Sequence, residues 1–527
     1  MNGLELILVL LVVAAGIAVA AERLKIPYPI LLVVGGLALA FIPGLPRVHI
    51  SPELVLLLFL PPLLYAAAWF TSWRDFAANK RPISQLAIGL VVATTSAVAW
   101  AAHTFIPGMS WEVAFVLGAI VSPPDAVAAT AVTQRLKVPR RVVTIIEGES
   151  LVNDATGLVA YKFALAAVAT GTFSLGAASG RFVVVAAGGI AVGLVVGWLV
   201  AQLHRRMEDF QVEIVFTLLT PYAAYIPAEH LHVSGVLATV AAGGYLGWRN
   251  PELLSALTRF RGEGVWSVLL LLFNGLVFIL IGLQLASIRE LTTDVSWTAL
   301  AFDGALISGV TILVRLIYVP IGTYLPRLLS RRLRERDPYP AWQNVVLISW
   351  AGMRGIVSLA LALALPVTLP DGQPFPNRAI VVVVAFAVIL VTLLAQGLTL
   401  PWLIRALKIK DDGTNLREER AALLRASEAA VKRLTEIDDT SIIHPQLMER
   451  VKLPYEQRME RLTEQTREDP ECRLTEGEGT AFRRLRAEAL AAERKVVVDM
   501  RNKGLISEEV LHAVQQALDL EALQPDR

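Results

Sequence analysis

Among 527 residues there is a single cysteine, Cys472. One thiol cannot build an internal disulfide framework or a thiolate metal cluster, and in a polar stretch it reads as an incidental surface group. Charge is scarce too: 18% of residues are Asp, Glu, Lys or Arg against 55% hydrophobic, with a mean hydropathy of +0.57. That balance excludes a disordered chain and an ordinary water-soluble enzyme. Neither sign dominates, since 48 basic and 46 acidic residues leave a net +2, so no nucleic-acid partner is implied. The polar end of the chain also lacks a glycine-rich nucleotide fingerprint.

The charge that is present is unevenly placed. Residues 1–406 hold 48 of the charged residues, about 12% of that stretch, and residues 407–527 hold 46, about 38%. The division predicts a transmembrane domain over 1–406 and a helical cytoplasmic domain, a candidate for regulation, over 407–527. In the second part amphipathic stretches such as Leu416 to Ile437 and Glu478 to Met500 alternate with expected breaks at Pro445, Pro454 and Pro470.

A helix needs about 20 mostly apolar residues to cross the hydrocarbon core. Such runs number about 13, starting near Leu4, Tyr28, Pro52, Ile83, Glu112, Val142, Arg181, Gln211, His232, Gly264, Ser296, Trp342 and Arg378. Met1 to Ala20 has no basic n-region and is followed by further apolar runs, so it reads as a retained first helix. With the polar tail in the cytoplasm and the N-terminus outside, the inner loops hold twenty basic residues and the outer loops only Arg47, Arg181, Arg289 and Arg378. This asymmetry follows the positive-inside rule. Lys162, Arg315 and Arg354 fall within spans instead.

Ionisable groups at bilayer depth are costly, and each is a functional candidate. The fifth run contains Ser122-Pro123-Pro124-Asp125, in which two prolines remove two backbone donors. The helix is expected to unwind there, exposing carbonyls suited to a cation beside an aspartate. The sixth run contains Glu147-Gly148-Glu149-Ser150-Leu151-Val152-Asn153-Asp154. Asp154 lies 12 residues past Val142, roughly 18 Å into the span at 1.5 Å per residue. Ser150, one turn earlier, shares its face. Asp154, Asp125, Ser150 and peptide carbonyls such as that of Pro124 are hard oxygen donors that suit a small hard cation. In a desolvated cavity a proton or a cation neutralises the same carboxylate, so the two compete.

The twelfth run holds Gly352-Met353-Arg354-Gly355, whose flexible points predict a second interrupted helix. Paired broken helices in opposite halves point to an inverted-repeat transporter. Arg315 or Arg354 is expected to neutralise Glu149 and not to touch substrate. Lys162 is placed to snorkel to the outer interface.

Leu60-Pro61-Pro62-Leu63-Leu64, Ser122-Pro123-Pro124-Asp125, Glu147 to Asp154 and Gly352-Met353-Arg354-Gly355, in this order and spacing across 1–406, resemble the sodium/proton exchangers of the monovalent cation:proton antiporter family, in its bacterial NhaP-like branch. The resemblance implies an all-α polytopic membrane protein of about 13 transmembrane helices, an inverted-repeat fold with two crossing unwound helices. It also implies a homodimer in the cell (inner) membrane, whose core domain moves the ion in an elevator-like step. The family's ion-binding aspartate falls on Asp154, its asparagine on Asn153, its serine on Ser150 and the aspartate of the broken helix on Asp125. Its buried glutamate falls on Glu149 and the arginine partner on Arg315. The Asn-Asp pair resembles the electroneutral type, with Na+, Li+ or K+ as cargo and no cofactor. Several relatives carry an acid just after the Pro-Pro segment of the third helix, where this chain has Ala66, Ala67 and Ala68.

Two other classes fit part of the pattern. A passive cation channel would use the same donors without proton coupling. An intramembrane aspartyl protease would use two aspartates, but it gives no role to the Pro-Pro break, the buried arginines or Asn153.

Overall fold

The computed structural model describes residues 3–24, 26–42, 55–136, 138–170, 175–207, 209–290, 296–370, 372–409, 413–438 and 445–467, with Met500 and Lys503. Cys472, Pro470, the 478–500 stretch apart from Met500, and Lys25, Arg47 and Lys137 lie outside the described residues. Among the described residues the protein is helical throughout, with one isolated bridge between Thr368 and Pro374.

The helices are α1 (Gly3–Leu24), α2 (Tyr28–Ala40), α3 (Leu60–Phe70), α4 (Lys80–Phe105), α5 (Trp111–Val121), α6 (Val127–Arg135), α7 (Arg140–Thr170), α8 (Leu175–His204) and α9 (Phe210–His230). They continue with α10 (Gly235–Leu253), α11 (Ala256–Glu290), α12 (Trp297–Leu329), α13 (Trp342–Trp350), α14 (Ile356–Leu363) and α15 (Arg378–Ala406). Short turns at Trp73–Ala78 and Arg331–Arg336 join longer elements. By length and composition alone, six helices among the described residues are able to cross a membrane: α4, α7, α12 and α15, with the Val183–His204 part of α8 and the Leu257–Gln284 part of α11. The helices α5, α6, α13 and α14 are too short because breaks divide them, at Ser122–Ala126 and at Ala351–Gly355.

The chain forms two compact units, Met1–Asp412 and Gly413–Arg527. In the second, α16 (Thr414–Asp438) packs on α17 (Pro445–Arg467). Pro445 opens α17, where a missing N–H costs nothing. The expected break at Pro454 does not occur: α17 runs through it. Arg450, whose carbonyl the proline leaves bare, is exposed, so water can hydrate it.

In the first unit, α4 to α7 and α12 to α15 pack mainly on one another, and α1 to α3 and α8 to α11 form a second group. Small residues let backbones approach closely in that second group. A Cβ on Gly36 or Gly282 would strike the facing α11 or α2 backbone, and one on Gly193 would strike Ala238. The helix α3 packs on Gly243 and Gly247 of α10 in the same way, with Ala66 and Ala68 fully covered. An acidic side chain at either alanine would not fit this contact, whereas Ala67 between them is exposed.

Helix α12 is polar inside and apolar outside. Asp303, Ser308, Thr311 and Arg315 are buried, whereas Leu313, Ile317 and Ile321 on the other face are exposed. A lipid solvent reverses the usual amphipathic pattern in this way, because the apolar face needs no cover.

Candidate functional site

The two breaks meet. The amide of Asp125 donates to the carbonyl of Met353 over 2.7 Å, which joins the gap between α5 and α6 to that between α13 and α14. Each break leaves two orphan helix ends, with carbonyls unsatisfied at one and amides at the other. Side chains reach them.

At the carbonyl end of α5, Arg354 donates from Nε to Val121 O (2.9 Å) and from Nη2 to Ser122 O (3.3 Å), and Nη1 also reaches its own segment at Gly352 O. At the carbonyl end of α13, Arg315 donates to Ile348 O from Nε (3.2 Å) and Nη2 (3.0 Å). At the amide ends, the Asp125 carboxylate accepts from Val127 N (2.8 Å) at the start of α6 and from the amide of Ile356 at the start of α14. Cations thus face the negative dipole ends and an anion faces the positive ones. Gly355 is required here because a Cβ on it would overlap the Asp125 carboxylate.

Three helices surround the crossing. From α7, Asn153 donates through Nδ2 to Pro124 O (2.9 Å), and Ser150 Oγ accepts from Ala126 N (3.1 Å). One turn away Glu149 meets Arg315 in a two-pronged pair, Nη1 to Oε1 at 2.5 Å and Nη2 to Oε2 at 2.7 Å, with both side chains at most 1% exposed. From α15, Thr392 Oγ1 accepts from Arg354 N (3.1 Å). Of the two arginines, then, Arg315 compensates Glu149, and Arg354 spends its donors on backbone. Lys162 lies away from the crossing, 3.5 Å from Glu229.

Four of the five charges at the centre cancel: Arg315 and Arg354 against Glu149 and Asp125. The fifth is Asp154. It is 8% exposed and has no hydrogen-bond or ion-pair partner among the described residues, while the Asp125 carboxylate is near enough to act on it electrostatically. An uncompensated carboxylate at this depth must hold a proton or a cation. Around it, Ser150 Oγ and Pro124 O each accept one hydrogen bond and keep a free lone pair. Asn153 Oδ1 is buried with no hydrogen-bond partner among the described residues.

Thr392 and Gln396 escaped the sequence reading. They frame a single π-turn, Thr392–Gln396, inside an otherwise apolar helix, and both atoms of the Gln396 amide are buried without partners. Two polar residues four apart in that helix were the available signal; the π-turn itself has no signature in composition.

A helical membrane transporter built around two broken, crossing helices is the class that this fold and site define. The family model for the transmembrane sodium/hydrogen exchanger matches residues 7–406. An uncharacterised Na+/H+ exchanger of Mycobacterium tuberculosis is 36% identical over 526 residues, covering 99% of this chain and 96% of that protein. A sodium, potassium, lithium and rubidium/H+ antiporter of Bacillus subtilis is 31% identical over 93% of this chain and 73% of its own length. The structure of the sodium proton antiporter MjNhaP1 from Methanocaldococcus jannaschii superposes with a TM-score of 0.61 at 19% identity, over 77% of this chain and 98% of that one, and shows the shared fold. The chain belongs to the sodium/hydrogen exchanger family and is a cation:proton antiporter; the comparisons give a passive channel no support.

Proposed function

We propose that Asp154 is the carboxylate for which a monovalent cation, Na+ with Li+ or K+ as further cargo, and a proton compete. The observation that carries this reading is the charge balance at the crossing, where among the described residues Asp154 alone has no counter-charge or donor. Asp125, Ser150, Pro124 O and Asn153 supply neutral or shared oxygens around it, and Glu149, Arg315 and Arg354 hold the frame. Because position 153 is a carboxamide, one ionisable group changes ligand in each cycle, which supports an electroneutral exchange of one cation per proton. Thirteen crossings in an inverted repeat, an external N-terminus, a cytoplasmic domain from about residue 407 and a homodimer in the cell membrane complete the proposal. Its support is the excess of basic residues in the alternate loops and the family's architecture.

Proteoliposomes holding a pH gradient test the assignment. Sodium or lithium should dissipate the gradient, and Asp154→Asn should abolish the response while the protein still folds. An unchanged response in that variant refutes the role of Asp154. Transport rates that follow an imposed valinomycin potential refute electroneutrality.

A further inference from the structure

Away from the crossing, a cavity of about 50 Å³ opens among the start of α4, the start of α7 and the end of α12. That is room for about four waters, or for the four oxygens of a tetrahedral anion. Arg81, Arg141 and Arg327 line it, with the neutral polar groups of Gln85, Thr323 and Asn344.

Two of these three guanidinium groups share one carboxylate. Asp337 Oδ2 takes Arg327 Nη2 at 2.5 Å and Oδ1 takes Arg141 Nη2 at 2.7 Å. Arg327 Nε donates to the Asp337 carbonyl (3.0 Å) and Arg141 Nε to Asn79 Oδ1 (3.0 Å). Both oxygens of Asp337 are then engaged. Arg81, within electrostatic range of Arg327 and Asp337, has no hydrogen bond or ion pair to any described residue, and its Nη1 is sealed from solvent. The nearby Arg140 is already held by Asp75. Two positive charges are thus in excess around the cavity, and a buried guanidinium nitrogen without an acceptor is costly.

We infer that this cavity binds a phosphate-type oxyanion, either inorganic phosphate or the phosphate of an anionic lipid headgroup, through Arg81, Arg141 and Arg327. The fork of a guanidinium matches phosphate oxygens two at a time. Arg327, only 5% exposed, forms the floor, Arg81 supplies the free donors, and Arg141, 43% exposed, stands at the mouth. A bound anion would tie together α7, which carries Asp154, and α12, which carries Arg315.

Binding of inorganic phosphate to the purified full-length protein, followed by calorimetry and thermal stability, tests the site independently of transport. Parallel measurements use phosphatidylcholine nanodiscs with and without phosphatidylglycerol. Saturable phosphate binding that weakens about ten- to a hundredfold in Arg81→Gln and recovers in Arg81→Lys identifies a free anion as the ligand. Stabilisation by phosphatidylglycerol but not by phosphate, lost in the same variant, identifies a headgroup. Asp337→Asn, which releases two guanidinium groups, should tighten binding of either. If neither ligand has a saturable effect, or if Arg81→Gln leaves the effect unchanged, the inference is overturned.

Discussion

The Glu149–Arg315 pair offers a quantitative test of how the crossing is held. In Glu149→Leu a guanidinium with no solvent exposure loses both carboxylate contacts, of 2.5 and 2.7 Å. Stranding one partner of a buried pair costs about 3–5 kcal/mol. Arg315→Met strands Glu149 at a similar cost and also strips both donors from Ile348 O. No backbone amide replaces them at the end of α13, which adds about 1–3 kcal/mol. The double variant removes both charges, and a buried pair replaced by apolar groups is often neutral. What should remain is the bare Ile348 carbonyl, so the double variant should be only about 1–3 kcal/mol less stable than the parent and more stable than Arg315→Met alone. Pulse proteolysis across a denaturant series reads these differences. A double variant no better than Arg315→Met would refute the pairing, and one as stable as the parent would refute the cap on Ile348.

Asp154→Asn removes an uncompensated charge, so it should leave stability unchanged or raise it while exchange is lost; a large loss of stability would mean that Asp154 holds the fold. Gly355→Ala should displace the Asp125 carboxylate from the starts of α6 and α14 and lower both stability and exchange, and wild-type transport in vesicles would contradict the cap. Gln396→Leu should stabilise the protein by about 1–3 kcal/mol, because neither of its buried amide atoms has a partner. An unmoved denaturation midpoint would count against that.

The breaks were legible because their causes are local. Two adjacent prolines cannot continue a helix, and Gly352 to Gly355 places two glycines around an arginine. The position of Asp154 midway along a long apolar helix was legible from the run of residues alone. What satisfies the orphan ends was not legible, because the partners lie far apart in the chain. Arg354 reaches Ser122 O across 232 positions and Arg315 reaches Glu149 across 166. Asp125 illustrates the limit best: its residue type suggested a cation ligand, but only the packing shows that its carboxylate also caps two half-helices. Pro454 failed for the opposite reason, since a breaker in an exposed helix has water to take up its lost bond.

The crossing divides its charges by task. Arg315, Arg354, Glu149 and Asp125 each contact backbone or an opposite charge at hydrogen-bond distance, so moving any of them exposes a helix end or a bare ion. Asp154 has no such contact among the described residues, so in the proposed cycle its ligand can change without any of those bonds breaking. A carrier requires that separation. If the exchanged ion also held the broken helices together, the empty site would unfold the crossing at every turnover. Because the frame is neutral by itself, loading Asp154 with either a proton or a monovalent cation gives the site the same net charge. The cost of carrying it through a low-dielectric interior is then the same in both directions, and the unloaded carboxylate is the one state that carries a net charge and is therefore held back.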